Sequence, residues 1–184
     1  MTASPRIPPG TRRRIGIVNW AIVRALGRAS GGRPPNVFTT LARNRSLFRR
    51  WLFFAGGLMP GGKLPRRDTE LVILRVAHNT ACEYEWGHHE RLGRRAGLSP
   101  AEVERVREGP EAPGWSERQR QLLRACDEMH ADGEIGDRLW ALLAAELDDD
   151  LMIELCMLIG HYEMLAMTLK SLRVQPEAPA ERLG

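Results

Sequence analysis

Cys82, Glu85 and His89 stand in the run Thr80-Ala-Cys-Glu-Tyr-Glu-Trp-Gly-His-His89 at i, i+3 and i+7. That spacing lines a thiol, a carboxyl and an imidazole along one face of an α-helix. A thiol can act as a nucleophile, and a carboxyl beside an imidazole can pass protons to and from a bound molecule. Thr80 and Glu83 have the Thr-x-x-Glu spacing of a capping box, which predicts a helix start with Thr80 as N-cap. Cys82 then falls in the first turn, where free backbone N–H groups and the helix dipole favour a thiolate. Glu85-x-x-His88 and Glu85-x-x-x-His89, with His78 upstream, are ligand-like spacings. No His-x-x-x-His pair and no second Glu-x-x-His accompanies them, so no metal is expected.

The elements that must hold these residues are helical. Leu71, Val72, Ile73, Leu74, Val76 and Ala77 follow Pro65 and are apolar almost all round, the pattern of a core helix, which makes Glu70 at its edge notable. The helix carrying Cys82 should end near Gly97, a natural residue to follow a helix C-terminus. Ser99-Pro-Ala-Glu102 is a capping box with proline at the first helical position, and Ser116-Glu-Arg-Gln119 is another. These open helices to about Glu108 and Ala131. Further helices are predicted over 15–27, from Asn36 as cap to about Ala55, over 136–147, and from Asp148 to about Leu172. No strand pattern or fixed-period repeat is evident. The expectation is an all-α bundle of about seven helices.

With 184 residues, 43% of them hydrophobic and 27% charged, the chain is long enough for one globular core. Three widely spaced cysteines, Cys82, Cys126 and Cys156, do not make a disulfide framework and point to a reducing, cytoplasmic setting. Arg12-Arg13-Arg14 ahead of an apolar stretch resembles the start of a signal peptide, but Asn19 and Arg24 interrupt it and no cleavage site follows. Residues 151–172 are apolar, yet Glu154, His161, Glu163 and Lys170 argue against a membrane span. Charge is divided sharply. Residues 1–67 hold fourteen Lys/Arg and no acid, and the remainder holds thirteen basic and twenty-three acidic residues, giving +14 against −10. Such a basic third suits phosphate contact, but no nucleic-acid motif goes with it. Docking onto the acidic part of its own or a neighbouring subunit is the expectation, with nucleic acid not expected as a partner.

The ordered combination Leu64-Pro-x-x-x-x-Glu70-Leu-x-Ile-Leu-Arg-Val-Ala77, Cys82-x-Tyr-Glu-Trp-x-His-His89 and Ala96-Gly-Leu-Ser99 resembles the carboxymuconolactone decarboxylase family, which includes alkylhydroperoxidase D-like proteins. The resemblance covers roughly residues 36–172. It implies an alkylhydroperoxidase D-like fold, a homo-oligomer (trimer or hexamer) and a small-molecule substrate. In the alkylhydroperoxidase D branch the site is a glutamate followed by Cys-x-x-Cys-x-x-x-His. By that pattern Glu70, Cys82 and His89 take the glutamate, the first cysteine and the histidine, and Glu85 stands where the second cysteine belongs. In that branch the second cysteine attacks peroxide and the first resolves it, so the dithiol cycle is not available here.

The expected division is residues 1–35 as an arginine-rich extension, 36–174 as the family domain and 175–184 as a tail. Glu70, Glu85, His89 and Cys82 are the expected catalytic residues. Arg75, Tyr84 and His88 are the expected substrate-binding ones, and no cofactor is expected. The function expected first is acid–base chemistry of the decarboxylase or isomerase type on a small organic acid or lactone. The alternatives are a thiol peroxidase using Cys82 with an external thiol, and a non-catalytic ligand- or partner-binding oligomer. Each residue also has a plainer structural role open to it: Cys82 as a small buried hydrophobe, Glu85 and His89 as an ion pair, His161 as a core histidine.

Overall fold

A computed structural model describes residues 4–29 and 32–177. Among them are nine helices and no strand: α1 (Arg12–Ala29), α2 (Asn36–Leu41), α3 (Arg45–Leu58), α4 (Arg66–Asn79), α5 (Glu83–Arg95), α6 (Pro100–Glu108), α7 (Glu117–Ala131), α8 (Asp137–Ala144) and α9 (Asp149–Leu172). The all-α expectation holds. The helix expected from Asn36 to Ala55 is two helices, parted by a turn at Ala42–Asn44. Asn36 does not cap α2. Pro35 is the N-cap, and the Asn36 N–H donates to the Glu177 carboxyl at 2.6 Å while its side chain donates to the Gln175 carbonyl at 3.0 Å. The rest of the expected tail, 178–184, lies outside the described residues, as do Ser30 and Gly31 of the expected breaker.

The described residues form two compact units, one of residues up to 54 together with 169–177 and one of residues 55–168, with the divisions within α3 and α9. In the first unit, Ile15, Val23, Ala42 and Phe48 form a buried cluster flanked by Trp20, Phe38 and Trp51. α1 kinks at Gly16, whose φ of 81° is accessible to glycine at little cost. Arg45 lies over that glycine and donates to the carbonyls of Arg13 and Arg14, which the kink releases from helical bonding.

In the second unit, Leu71, Leu74, Ala77, Trp86, Leu98, Val103, Val106, Trp115 and Leu123 form one core, built from α4, α5, α6 and α7. Both expected capping boxes are present: Ser99 and Glu102 exchange bonds of 3.2 and 2.9 Å, as do Ser116 and Gln119. Cation–π contact of Arg107 over Trp86, at 3.7 Å, closes the core on the α6 side. α9 is long and apolar enough to cross a membrane by composition alone. It buries Leu155, Leu158, Ile159, Tyr162 and Ala166, and its Glu154 carboxylate accepts from the Lys63 and Leu64 N–H groups at 2.7 and 2.9 Å. Its other face exposes Ile153, Met157, Met164 and Met167.

Arg75 ties α4 to α7. Its guanidinium makes a two-pronged pair with Asp127 at 2.6 and 2.8 Å and donates to the Val106 carbonyl at 2.7 Å, while Asn79 donates to the same carboxylate. Removing one side of a largely desolvated, bidentate pair strands the other. Arg75→Ala should therefore cost about 2–3 kcal/mol of stability in urea denaturation.

Candidate active site

The link between α4 and α5 is three residues long, and it corrects the expected helix start. Thr80 is the C-cap of α4, with its hydroxyl donating to the Val76 carbonyl at 2.7 Å. Ala81 takes a left-handed φ of 49°, and the Cys82 N–H returns to the Ala77 carbonyl at 2.9 Å. That closes α4 in the manner of a left-handed helix cap. Cys82 is therefore the N-cap of α5 and not a first-turn residue, and no Thr80–Glu83 capping box forms. So short a turn folds α5 back against α4.

Gly93 faces Leu98 and, across ordinary contact distance, α4. A side-chain carbon there would lie 2.9 Å from Leu98, 3.4 Å from Leu74 and 3.6 Å from the Glu70 β-carbon. His89 is one turn earlier on the same face. Its Nδ1–H donates to Glu70 Oε2 at 2.7 Å, which leaves Nε2 as the basic nitrogen. The other Glu70 oxygen pairs with the Arg66 guanidinium at 2.6 Å. Glu70 is wholly buried and Arg66 is 39% exposed, so the arginine carries charge from the core to the surface.

Glu85 sits on the His89 face of α5, 3% exposed, and neither carboxyl oxygen meets an N–H or O–H donor among the described residues. Burial pushes its pKa up to about 8; a hydrogen bond from the Cys82 thiol pulls it down, and the nearby negative charge of Glu163 raises it further. Tyr162 of α9 completes the cluster. Its ring meets His89 edge-to-face at 5.1 Å, and its hydroxyl donates to the Met59 sulfur at 3.5 Å. Burial first, then the charges of Glu70 and Glu85, raises the Tyr162 pKa well above the usual phenol value, with Arg66 opposing. His161 packs on the other edge of Tyr162, and burial lowers its pKa to about 4, so it is neutral near pH 7.

Glu70, Cys82, Glu85 and His89 thus come together. The other three expected residues lie elsewhere. Arg75 donates to Asp127 and to the Val106 carbonyl, linking α4 to α6 and α7. Tyr84 is buried against His88 at 4.7 Å, and His88, half-buried, accepts from Arg91 at 3.1 Å. Arg66 and Tyr162 join the site unannounced. Arg66 had a signal, its i−4 spacing from Glu70; Tyr162 had none beyond its place on an apolar helix. Among the described residues, no three His, Cys, Asp or Glu side chains converge as metal ligands. Cys126 is inert, since burial pushes its thiol up out of the reactive range.

An all-helical core with a buried Glu–His pair and a helix-start cysteine defines a helical alkylhydroperoxidase D-like protein. The sequence model of the carboxymuconolactone decarboxylase family matches residues 45–128, which include every motif residue of the site. The fold is shared with a peroxidase-related protein from a Silicibacter species (18% identity, 97% of this chain and 96% of that one, TM-score 0.82). It is shared also with an alkylhydroperoxidase AhpD core protein from Ralstonia eutropha (19%, 95% and 94%, TM-score 0.83). A third likeness is to a debrominase, solved as a variant with 2,3,4-tribromopyrrole (15%, 97% and 95%, TM-score 0.81). No curated protein matches the sequence.

Two consequences can be measured. Between its ordinary value of 4.5 and about 8, Glu85 keeps in the folded state a proton that the unfolded chain releases, so stability falls as pH rises through that window and levels off above it. Glu85→Gln should remove this slope: urea denaturation should show the variant gaining on the wild type from about pH 5 to about pH 9. Gly93→Val should force α5 off α4, costing about 1–3 kcal/mol and releasing the His89 Nδ1 proton seen in NMR from its protection against solvent exchange.

Proposed function

We propose that the chain is a cofactor-independent enzyme that moves protons on a small organic acid or lactone, in decarboxylase or isomerase fashion. The observation that supports this best is the pairing of a buried Glu85, bonded only by a thiol, with the Glu70–His89 hydrogen bond in one core. Below about pH 8 Glu85 is a carboxylic acid able to donate a proton. His89, oriented by Glu70, offers Nε2 as a base. Arg66, at the outer edge of the pair, is the group placed to hold a substrate carboxylate.

In a decarboxylation, the carbon–carboxylate bond breaks, carbon dioxide leaves, and the electron pair stays on carbon as a delocalised carbanion. Glu85 protonates that carbon and is re-protonated from solvent. In an isomerisation, His89 first removes a carbon-bound proton and Glu85 delivers one at the far end of the conjugated system. Tyr162, its phenol proton held firmly, packs the His89 ring in place. The apolar stripe of Ile153, Met157, Met164 and Met167 supports a homo-oligomer, trimer or hexamer, in which this face is covered.

A second reading rests on the Cys82–Glu85 contact at the start of α5 and on the peroxidase-related relatives. There Cys82 as thiolate would attack a hydroperoxide, breaking the O–O bond to give a sulfenic acid and an alcohol. Two equivalents of an external thiol would return it to the thiol with loss of water.

The readings separate in one set of variants. Against a panel of short unsaturated acids and lactones, with proton exchange followed by NMR in deuterated water, His89→Ala and Glu85→Gln should lose about 10²–10⁴-fold and Cys82→Ser should stay within a few-fold. Cys82-dependent turnover of an alkyl hydroperoxide with dithiothreitol, with no proton exchange on any of these acids, would put the thiol reading in first place.

A further inference from the structure

The first unit contains a cavity that plays no part in the Glu70–His89 chemistry. It measures about 320 Å³ and lies among the segment from Arg6 to Pro8, the α2–α3 turn and the end of α9. Ile7, Leu41 and Leu172 give it apolar walls, and Arg6, Arg14 and Arg43 surround it. No acidic residue lines it.

Its walls are built rather than incidental. The Arg6 N–H donates to the Leu172 carbonyl at 3.0 Å and the Gly10 N–H to the Thr39 carbonyl at 3.0 Å, which pins the N-terminal segment across the unit. Gly10 permits this, because a side-chain carbon there would lie 2.9 Å from the Thr39 oxygen. The arginines are held too: Arg6 Nη1 donates to the Ser171 carbonyl at 3.0 Å and Arg43 Nη1 to the Pro8 carbonyl at 3.2 Å. A carbonyl orients a guanidinium without neutralising it. The unit's described residues carry thirteen Lys/Arg and a single acid, Glu177, which is occupied with the Asn36 N–H.

We infer that this cavity is a binding site for a small amphipathic anion, with an apolar body against Ile7, Leu41 and Leu172 and a carboxylate, or another compact acidic head, on the arginines. Apolar walls argue against a polyphosphate, which would leave them wet; three guanidiniums with no carboxylate partner among the described residues argue against a neutral lipid. The volume is at the lower end for small-molecule sites and suits one short acyl or aromatic acid.

Calorimetric titration of the full chain with sodium decanoate tests this. Decanoate should bind saturably, at about one per chain, and decanol and inorganic phosphate should each bind at least about tenfold more weakly. Arg14→Gln with Arg43→Gln should weaken decanoate by about tenfold or more, with the circular dichroism unchanged, and Arg14→Gln alone by a smaller factor. Arg24→Gln, outside the cavity, should not. Unchanged affinity in the double variant, equal binding of decanol, or no saturable decanoate binding would each overturn the assignment. Retention of the chain on RNA or anionic vesicles in that last case would mark the arginines as a macromolecular surface instead.

Discussion

A carboxyl group with no solvent exposure at all organises the second unit of this protein. Glu70 lies in the core of α4 among Leu71, Val72, Ile73 and Leu74, where an unpartnered charge would cost several kcal/mol. Two partners answer it: Arg66 one turn earlier on the same helix, and His89 from the next helix. The second partner is available only because α5 folds back at once and runs close. That closeness rests on the turn at Thr80–Cys82. The same requirement that keeps the core satisfied thus fixes the ring position and tautomer of the histidine.

The contrast with Glu85 gives the site its chemical character. Both carboxyls are buried, on neighbouring helices, yet Glu70 has a hydrogen bond from His89 on one oxygen and the Arg66 charge against the other, and Glu85 meets only a thiol. Water is withdrawn from both, and only one is compensated. The uncompensated one takes up a proton near neutral pH, beside the hydrogen-bonded Glu70–His89 pair. Tyr162, lying edge-on to the histidine and within the field of both carboxyls, joins them into one electrostatic unit.

Much of the fold was legible locally. Ser99–Glu102 and Ser116–Gln119 cap their helices as their spacing requires, because a capping box satisfies its own N–H groups within four residues. Thr80–Glu83 has the same spacing and fails. The Thr80 hydroxyl finds the Val76 and Ala77 carbonyls first, and Ala81 turns the chain before a new helix can start at Thr80. Asn36 fails as a cap for a similar reason: Glu177, far away in sequence, takes its N–H. The partner of Arg75, Asp127 on α7, likewise comes from far along the chain.

The sequence alone determined the all-helical class, the match to a family motif, and the shared helical face of Cys82, Glu85 and His89, because periodicity and spacing are properties of neighbours in the chain. It also showed that Glu85 stands where a dithiol site needs sulfur. Tertiary structure decided which of these groups are paired and which are left without donors: His89 to Glu70, Arg75 to Asp127, nothing but a thiol to Glu85. Proton affinity depends on solvent exclusion and on charges a few ångströms away, and both are set by segments distant in sequence, Tyr162 and Glu163 of α9 among them.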